Sequence, residues 1–308
     1  MCASSLTGAS SGDRQYTHRR MIEYKLMRIS LIIPTLNAGP QIEDLLGRIS
    51  RQDVRPFEVI VIDSSSSDDT VEAAERSGAR TVVIPRRAFN HGKARNTAAL
   101  KAGGDVLVFM TQDAVPLNNA LLASLTAPLL HPDIAAAYGR HVPGPGASPI
   151  ETFARQFNYP DSPSIKKMDD IVRDGINRVI FSDVCSAVKR EAFMEAGMFP
   201  EVRANEDMLI ALKLILLGYK VAYVPGAEVL HSHDYSLLRQ FRRYYNIGSS
   251  LKRNPWVLKY APAEGEGLKF LAGQLRFILK ERRLLWLPYV ILEAAAKYAG
   301  YRTGIIAG

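Results

Sequence analysis

Four short apolar runs, each closed by a polar or acidic residue and each followed by a stretch with helical spacing, constrain this chain more than anything else in it. Residues 29–33 (Ile-Ser-Leu-Ile-Ile) lead into Pro34-Thr35-Leu36-Asn37, and residues 57–62 end at Asp63. Residues 80–84 lead through Pro85 to Phe89-Asn90-His91-Gly92, and Val106–Met110 end at Thr111-Gln112-Asp113-Ala114. Bulky apolar runs of this length without polar alternation read as strands buried on both faces, the kind found in parallel sheets. Between them, Ile42, Leu45, Leu46 and Ile49 mark one helix, Ser67-Asp68-Asp69 opens a second through Arg76, and a third reaches Lys101. Strand and helix in alternation imply an α/β, doubly wound, mostly parallel sheet. Ligands of such sheets bind outside the carboxyl ends of the strands, so Asp63 and Asp113 are expected at the rim of one crevice.

Beyond Asn118 the pattern gives a helix to Leu130, a strand over 134–141 and a loop at Pro143-Gly144-Pro145-Gly146. Residues 159–178 are polar and irregular, of the kind that covers active sites. A strand over 179–187 carries Asp183, Cys185 and Ser186. A helix over 205–217 opens with Glu206-Asp207, where a helix N-terminus favours negative charge. A strand over 220–224 precedes His231-Ser232-His233-Asp234.

The formal charge of +8 is unevenly placed. Tyr235–Gly308 carry 13 Lys or Arg and 4 Glu, whereas the rest of the chain holds 26 against 27 acids, so the basicity is confined to the tail. There, Leu237, Leu238, Phe241, Tyr245 and Gly248 share a helical face beside Arg239, Arg242 and Arg243. Leu268, Leu271, Leu275 and Ile278 repeat the theme among Lys269, Arg276, Lys280, Arg282 and Arg283. Such a basic amphipathic region either lies on an anionic membrane or packs on the domain. The apolar run Leu284–Leu292 is broken by Pro288 and falls well short of the roughly 20 residues that cross a bilayer. With only Cys2 and Cys185, no structural disulfide is expected and a reducing compartment fits. The chain divides into a leader (1–27) without an apolar signal core, an α/β domain (28–235) and a basic helical region (236–308).

The strand ending in Pro34-Thr35-Leu36-Asn37, the strand end at Asp63, Ala94-Arg95-Asn96 in a helix, the strand end at Asp113 and the late Glu206-Asp207 together resemble the inverting family 2 glycosyltransferases with a GT-A fold, over roughly residues 28–235. Within that family the likeness is nearest to bacterial rhamnosyltransferases, through Phe89-Asn90-His91-Gly92, Thr111-Gln112-Asp113-Ala114 and Asp183-Val184-Cys185-Ser186-Ala187. The resemblance implies a donor site built from Pro34, Thr35, Asn37, Asp63, Arg95, Gln112 and Asp113, in which Asp63 accepts from the N3 proton of a pyrimidine. It implies Mg²⁺ or Mn²⁺ held by Asp113 with His231 or His233, and Asp207 as the base that deprotonates the acceptor. Glu206 is then a positioning residue, and Asp183 and Ser186 line the acceptor side. Two departures stand out. The usual Asp-x-Asp is Thr111-Gln112-Asp113, which removes one carboxylate and lowers the protein's own metal affinity, and Lys93 stands where a small residue is expected.

The implied reaction transfers L-rhamnose from dTDP-rhamnose to a lipid-linked surface glycan, in the cytoplasm and peripherally at the inner face of the plasma membrane, with no nucleic-acid partner. A UDP-sugar such as UDP-galactose or UDP-glucose is the alternative donor. A non-catalytic basic module binding membrane or nucleic acid would fit the tail, but it has no need of Asp63, Asp113 and Glu206-Asp207 at successive sheet ends. A glycosidase with paired carboxylates needs no diphosphate or metal apparatus.

Overall fold

The two-sided apolar runs form the strands expected of them in the computed structural model, which describes residues 27–174, 180–260 and 265–308. The expected leader before residue 27, and residues 175–179 of the expected irregular segment and strand, lie outside the described residues. Strands β1 (Ile29–Thr35), β2 (Glu58–Asp63), β3 (Arg80–Val83) and β4 (Val106–Met110) run parallel in the order β3-β2-β1-β4. Their side chains alternate between two cores. Leu31, Ile33, Val61, Val108 and Met110 pack under helices α1 (Gly39–Ile49) and α2 (Thr70–Arg76), whereas Ile32, Ile60, Ile62, Leu107 and Phe109 pack under α3 (His91–Lys101). Burying each such side chain is worth about 1.5–3 kcal/mol, and a one-residue slip would turn every one of them to the wrong face. The register is thereby held, with Thr35 opposite Asp63 at the ligand end.

Beyond β4 come β5 (Val115–Pro116), α4 (Leu121–Thr126), β6 (Ile134–Val142), α5 (Pro149–Asn158), β7 (Ser164–Lys166) and α6 (Met168–Asp174). They are followed by β8 (Cys185–Lys189), α7 (Arg190–Glu195), α8 (Glu206–Leu216) and β9 (Lys220–Leu230). The sheet continues β4-β8-β6-β9-β5, with β7 also on β9. Strand β8 is antiparallel to β4 and β6, β6 and β9 are parallel, and β5 and β7 are antiparallel to β9.

Four departures from the sequence pattern have physical causes. Strand β9 continues past Val224 to Leu230, because the register shift between Gly139 and Arg140 of β6 absorbs Pro225-Gly226-Ala227. The segment read as irregular holds β7 and α6. The strand read over 179–187 begins only at Cys185 and runs on to Lys189, where β4 supplies its pairing. Helix α5 is started by Ser148, whose Oγ accepts the Glu151 N–H at 3.2 Å, with Pro149 in the first turn.

The extension comprises α9 (Leu237–Arg253), α10 (Trp256–Tyr260), α11 (Glu266–Lys280) and α12 (Leu287–Ala307). Pro288, read as a break, sits in the first turn of α12, where its missing N–H costs nothing. Helices α9 and α12 touch backbone to backbone at Gly248, Gly300 and Gly304, where any Cβ would overlap Tyr301 O, Phe241 O or Tyr245 O. Leu251 and Val257 share the core that holds Phe109 and Leu209, so the extension is fastened to the sheet. Buried Glu293 accepts from Gln240 Nε2 (2.8 Å) and Gln274 Nε2 (3.2 Å) and pairs with Lys297 Nζ (2.9 Å), tying α9, α11 and α12 together.

Candidate active site

The carboxyl ends of β1, β2 and β4 are stitched into one rim by the residues expected at the donor. Thr35 Oγ1 donates to Asp63 Oδ1 at 3.0 Å, and Ser66 donates to the same carboxylate from Oγ (2.5 Å) and from its backbone N–H (2.8 Å). Asn37, at φ 49°, donates its N–H to Ser66 Oγ and accepts the Ser67 N–H on Oδ1. Gln112 closes a two-bond ring with the Leu36 backbone, at 2.8 and 3.3 Å. Pro34 stands opposite Ile62 in the same strand pair. Asp63 is 0 % exposed, and its three bonds leave one of about four lone-pair positions open.

Because β5 pairs with β9, the turn after β4 is carried against the end of β9, and Asp113 meets both late histidines. His231 Nε2 lies 3.5 Å from Asp113 Oδ1, and His233 Nε2 lies 3.0 Å from Oδ2. The two histidines that the sequence left as alternatives therefore converge on one carboxylate, with a ligand atom of each of the three residues within 4.8 Å of the others. Burial alone would raise the Asp113 carboxyl, but bonds from His231 and His233 outweigh it and hold the group well below the usual carboxylate range. Burial, opposed by Asp113, holds the His231 imidazole below its ordinary value, which favours the neutral form that ligates metals. One carboxylate and two imidazoles form a donor set that suits Mn²⁺ better than Mg²⁺, since Mg²⁺ prefers oxygen throughout.

Helix α5 braces this cluster. Glu151 Oε1 accepts the His233 N–H (3.1 Å) and the Arg155 Nε–H (2.6 Å). Arg155 Nη1 sits 3.0 Å from His141 Nδ1, and the His141 ring stacks on Tyr159 and meets His231 edge-on.

The acids expected on the acceptor side gather round the start of α8. Arg95, only 2 % exposed, has Asp183 Oδ2 at 3.2 Å and Glu206 Oε1 at 3.8 Å, and it donates to His91 O. Arg95, expected among the donor-binding residues for bonding to the nucleotide or phosphates, lies among these carboxylates. Asp183 and Glu206 thus share one guanidinium, and Asp207 lies within the same field. Burial, then Asp183, pushes the Asp207 carboxyl up to about 7, and burial, then Asp183 and Asp207, pushes Glu206 up to about 8. Ser186, expected to line the acceptor side, is 0 % exposed, since its place in β8 lies between Phe109 and Tyr138 inside the sheet. Cys185 beside it is buried and its thiol is pushed up to about 12, so it offers no thiolate.

The acidic cluster and the Asp113 cluster adjoin. Asp207 acts electrostatically on Tyr159, whose ring stacks at 4.1 Å on His141, the neighbour of His231. Arg243 of α9 acts on Asp207, Tyr159 and His141 alike. Sequence reasoning had read Arg243 as part of a basic surface stripe, and it passed over Glu151, Arg155 and His141; the only local signal was the Ser148-x-x-Glu151 helix start.

The Phe89-Asn90-His91-Gly92 stretch and Asn96 hold the loop that precedes α8. Asn96 Nδ2 donates to Phe199 O (2.8 Å) while its Oδ1 accepts the Phe199 N–H (3.1 Å), and Asn90 Nδ2 donates to Val202 O (2.7 Å). A Cβ at Gly92 would stand 2.7 Å from Pro200 O. Lys93 Nζ lies 3.6 Å from Glu201 on the surface, so it contacts this loop. Asn96→Ala is expected to lower kcat on the order of tenfold, the equivalent of one or two lost hydrogen bonds, at unchanged donor affinity by calorimetry. Asn96→Asp, which keeps the acceptor for the Phe199 N–H, should recover part of the loss. Equal weakening of donor binding would show a general loss of structure instead.

Residues 30–197 match the family model of glycosyl transferase family 2. The O-antigen chain rhamnosyltransferase RfbN of Salmonella typhimurium is 39 % identical over 282 residues, 90 % of each chain. WbaN of Salmonella anatum, also named an O-antigen chain rhamnosyltransferase, is 37 % identical over 89 % of this chain and 88 % of its own. The mannosyltransferase PcManGT of Pyrobaculum calidifontis, solved in complex with GDP-Man and Mn²⁺, shares the fold at a TM-score of 0.59 and 20 % identity, covering 95 % of this chain and 94 % of that one. The chain belongs to glycosyl transferase family 2 and is a glycosyltransferase of GT-A fold.

Proposed function

We propose that the chain transfers L-rhamnose from dTDP-rhamnose, with inversion, to a growing lipid-linked surface glycan. The observation that carries transfer, rather than binding alone, is the high-titrating Asp207 beside the Asp113–His231–His233 cluster. The near full-length likeness to two O-antigen chain rhamnosyltransferases supports rhamnose.

In this reading the open lone pair of Asp63 accepts the N3 proton of the pyrimidine, and the stitched rim at Thr35, Asn37 and Gln112 holds the ring and ribose in one pose. Asp113, His231 and His233 would hold a divalent cation, Mn²⁺ for preference, and it would supply Lewis-acid stabilisation of charge on the departing diphosphate. Asp207 takes the proton of the acceptor hydroxyl as that oxygen bonds to the anomeric carbon, while the bond to the diphosphate breaks and its electron pair leaves with the phosphate. Burial and the Asp183 charge raise the basicity of Asp207, and Arg95 offsets the repulsion within this group of acids. Residues 28–235 carry this chemistry, and residues 236–308 form a helical extension that rests on the anionic inner face of the plasma membrane. Among the described residues no helix is long and apolar enough to cross a membrane.

Thermal shift and transfer assays with Mn²⁺ and dTDP-rhamnose, UDP-galactose, UDP-glucose or GDP-mannose test the reading. dTDP-rhamnose at about 100 times its dissociation constant should stabilise the chain by about 2.7 kcal/mol and alone support turnover. Turnover with a UDP-sugar in its place would move the donor assignment to that sugar.

A further inference from the structure

We propose that the turn between α11 and α12 is a membrane-insertion edge, with Leu284 and Leu285 entering the acyl boundary of an anionic bilayer while Lys280, Arg282 and Arg283 meet its phosphates. Leu285 is 96 % exposed, and Leu279, Leu284, Ile291 and Leu292 are each more than half exposed within the same short stretch of chain. Single exposed leucines are ordinary, but five large apolar side chains at one end of a helical hairpin form a patch of the kind that marks an interaction surface. The basic residues lie between Leu279 and Leu284 in sequence and are exposed, and Glu281 is the one acid exposed in this turn. Behind the tip, Trp286 and Tyr289 meet edge to face at 5.8 Å and are half-buried, so their amphipathic rings stand where headgroups would lie. Buried Ile278, Val290 and Ile150 give the edge a firm base.

The charge identifies the occupant. A second copy docked by a two-fold axis through this turn would bring Lys280, Arg282 and Arg283 of both chains into one interface with only Glu281 of each to oppose them, and like charges disfavour that. An anionic lipid surface satisfies the apolar and the basic side chains together. The position also suits an acceptor held in a membrane. Phe270 of α11 packs on Phe153 and Phe157 of α5, the helix whose Glu151 holds His233, so one helix separates the edge from the Asp113 cluster. The proposal draws its purpose, though not its evidence, from the lipid-linked acceptor of the preceding reading.

The full chain, without donor or acceptor, is to be sedimented with phosphatidylglycerol–phosphatidylethanolamine vesicles and with phosphatidylcholine vesicles. Strong binding to the anionic vesicles, weakened by salt and by neutral lipid, is expected, with a blue shift of Trp286 emission that Trp286→Phe removes. The double variant Leu284→Ser/Leu285→Ser should bind at least about tenfold more weakly. The double variant Arg282→Ala/Arg283→Ala should lose most of the preference for anionic lipid, on the order of 30-fold. Both should keep the parent melting temperature and the rate on a water-soluble acceptor. Failure of the parent chain to bind, or equal binding by the leucine variant, overturns the proposal. So does light scattering that shows the leucine variant dissociating a dimer, since the face would then belong to a second copy. Vesicle binding is read without turnover, so it stands or falls separately from the transferase reading.

Discussion

Asp207→Asn is expected to lower kcat by about 10² to 10⁴, the usual worth of general base catalysis, to leave donor affinity unchanged, and to raise the melting temperature at neutral pH. The rate and the stability move in opposite directions for one reason. In the folded chain burial and the Asp183 charge bring the Asp207 carboxyl to about 7, from its ordinary value of 3.8. The folded state therefore binds that proton more tightly than the unfolded chain does. The stabilisation is complete below the unfolded value and is lost as pH rises through about 7, whereas the ionised base becomes available over the same rise. Glu206, near 8, titrates with it, so the two steps belong to the pair. The parent rate should climb through neutral pH while its melting temperature falls. In Asp207→Asn both slopes should flatten, since the amide stays neutral. Single-turnover rates and melting curves from about pH 6 to about pH 9 make the comparison. An unchanged rate would remove Asp207 from the mechanism, and a loss confined to KM would make it a binding residue.

The parts of this site that could be read in the sequence are those set by the strand pattern. Asp63 and Asp113 follow directly from two-faced apolar runs, because the carboxyl end of a buried parallel strand is where a side chain meets ligand. The pattern says nothing of which way a helix turns its flanks. Arg95 could be assigned to a helix start, but only the folded chain brings Asp183 and Glu206 to it. Ser186 shows the same limit in a strand, since pairing of β8 with β4 and β6 sets whether its side chain reaches the crevice. Glu151 and Arg155, four apart on a helix, have the spacing of a surface ion pair, yet both side chains are nearly buried and hold His233 and His141. The choice between His231 and His233 could not be made from order alone. Extension of β9 to Leu230 delivers both.

Asp113→Asn is expected to lower turnover on the order of 10³-fold, because it takes the one carboxylate from a cluster in which the usual first acid is already absent. The amide keeps the volume but removes the negative charge, and its NH₂ can only donate, so it cannot face a second imidazole N–H as Oδ1 and Oδ2 of Asp113 both do. His231 and His233 remain, braced by Glu151, so His231→Ala or His233→Ala singly should cost less than the loss of the carboxylate. The readout that separates metal loss from misfolding is donor-induced stabilisation. In the parent chain the melting shift with dTDP-rhamnose should be larger with Mn²⁺ than with EDTA, and in Asp113→Asn the two should coincide at the EDTA value. Restoring Mn²⁺ after EDTA should recover the parent rate and leave the variant unchanged. If EDTA alters neither shift nor rate in the parent chain, the cluster holds no cation and the metal assignment falls.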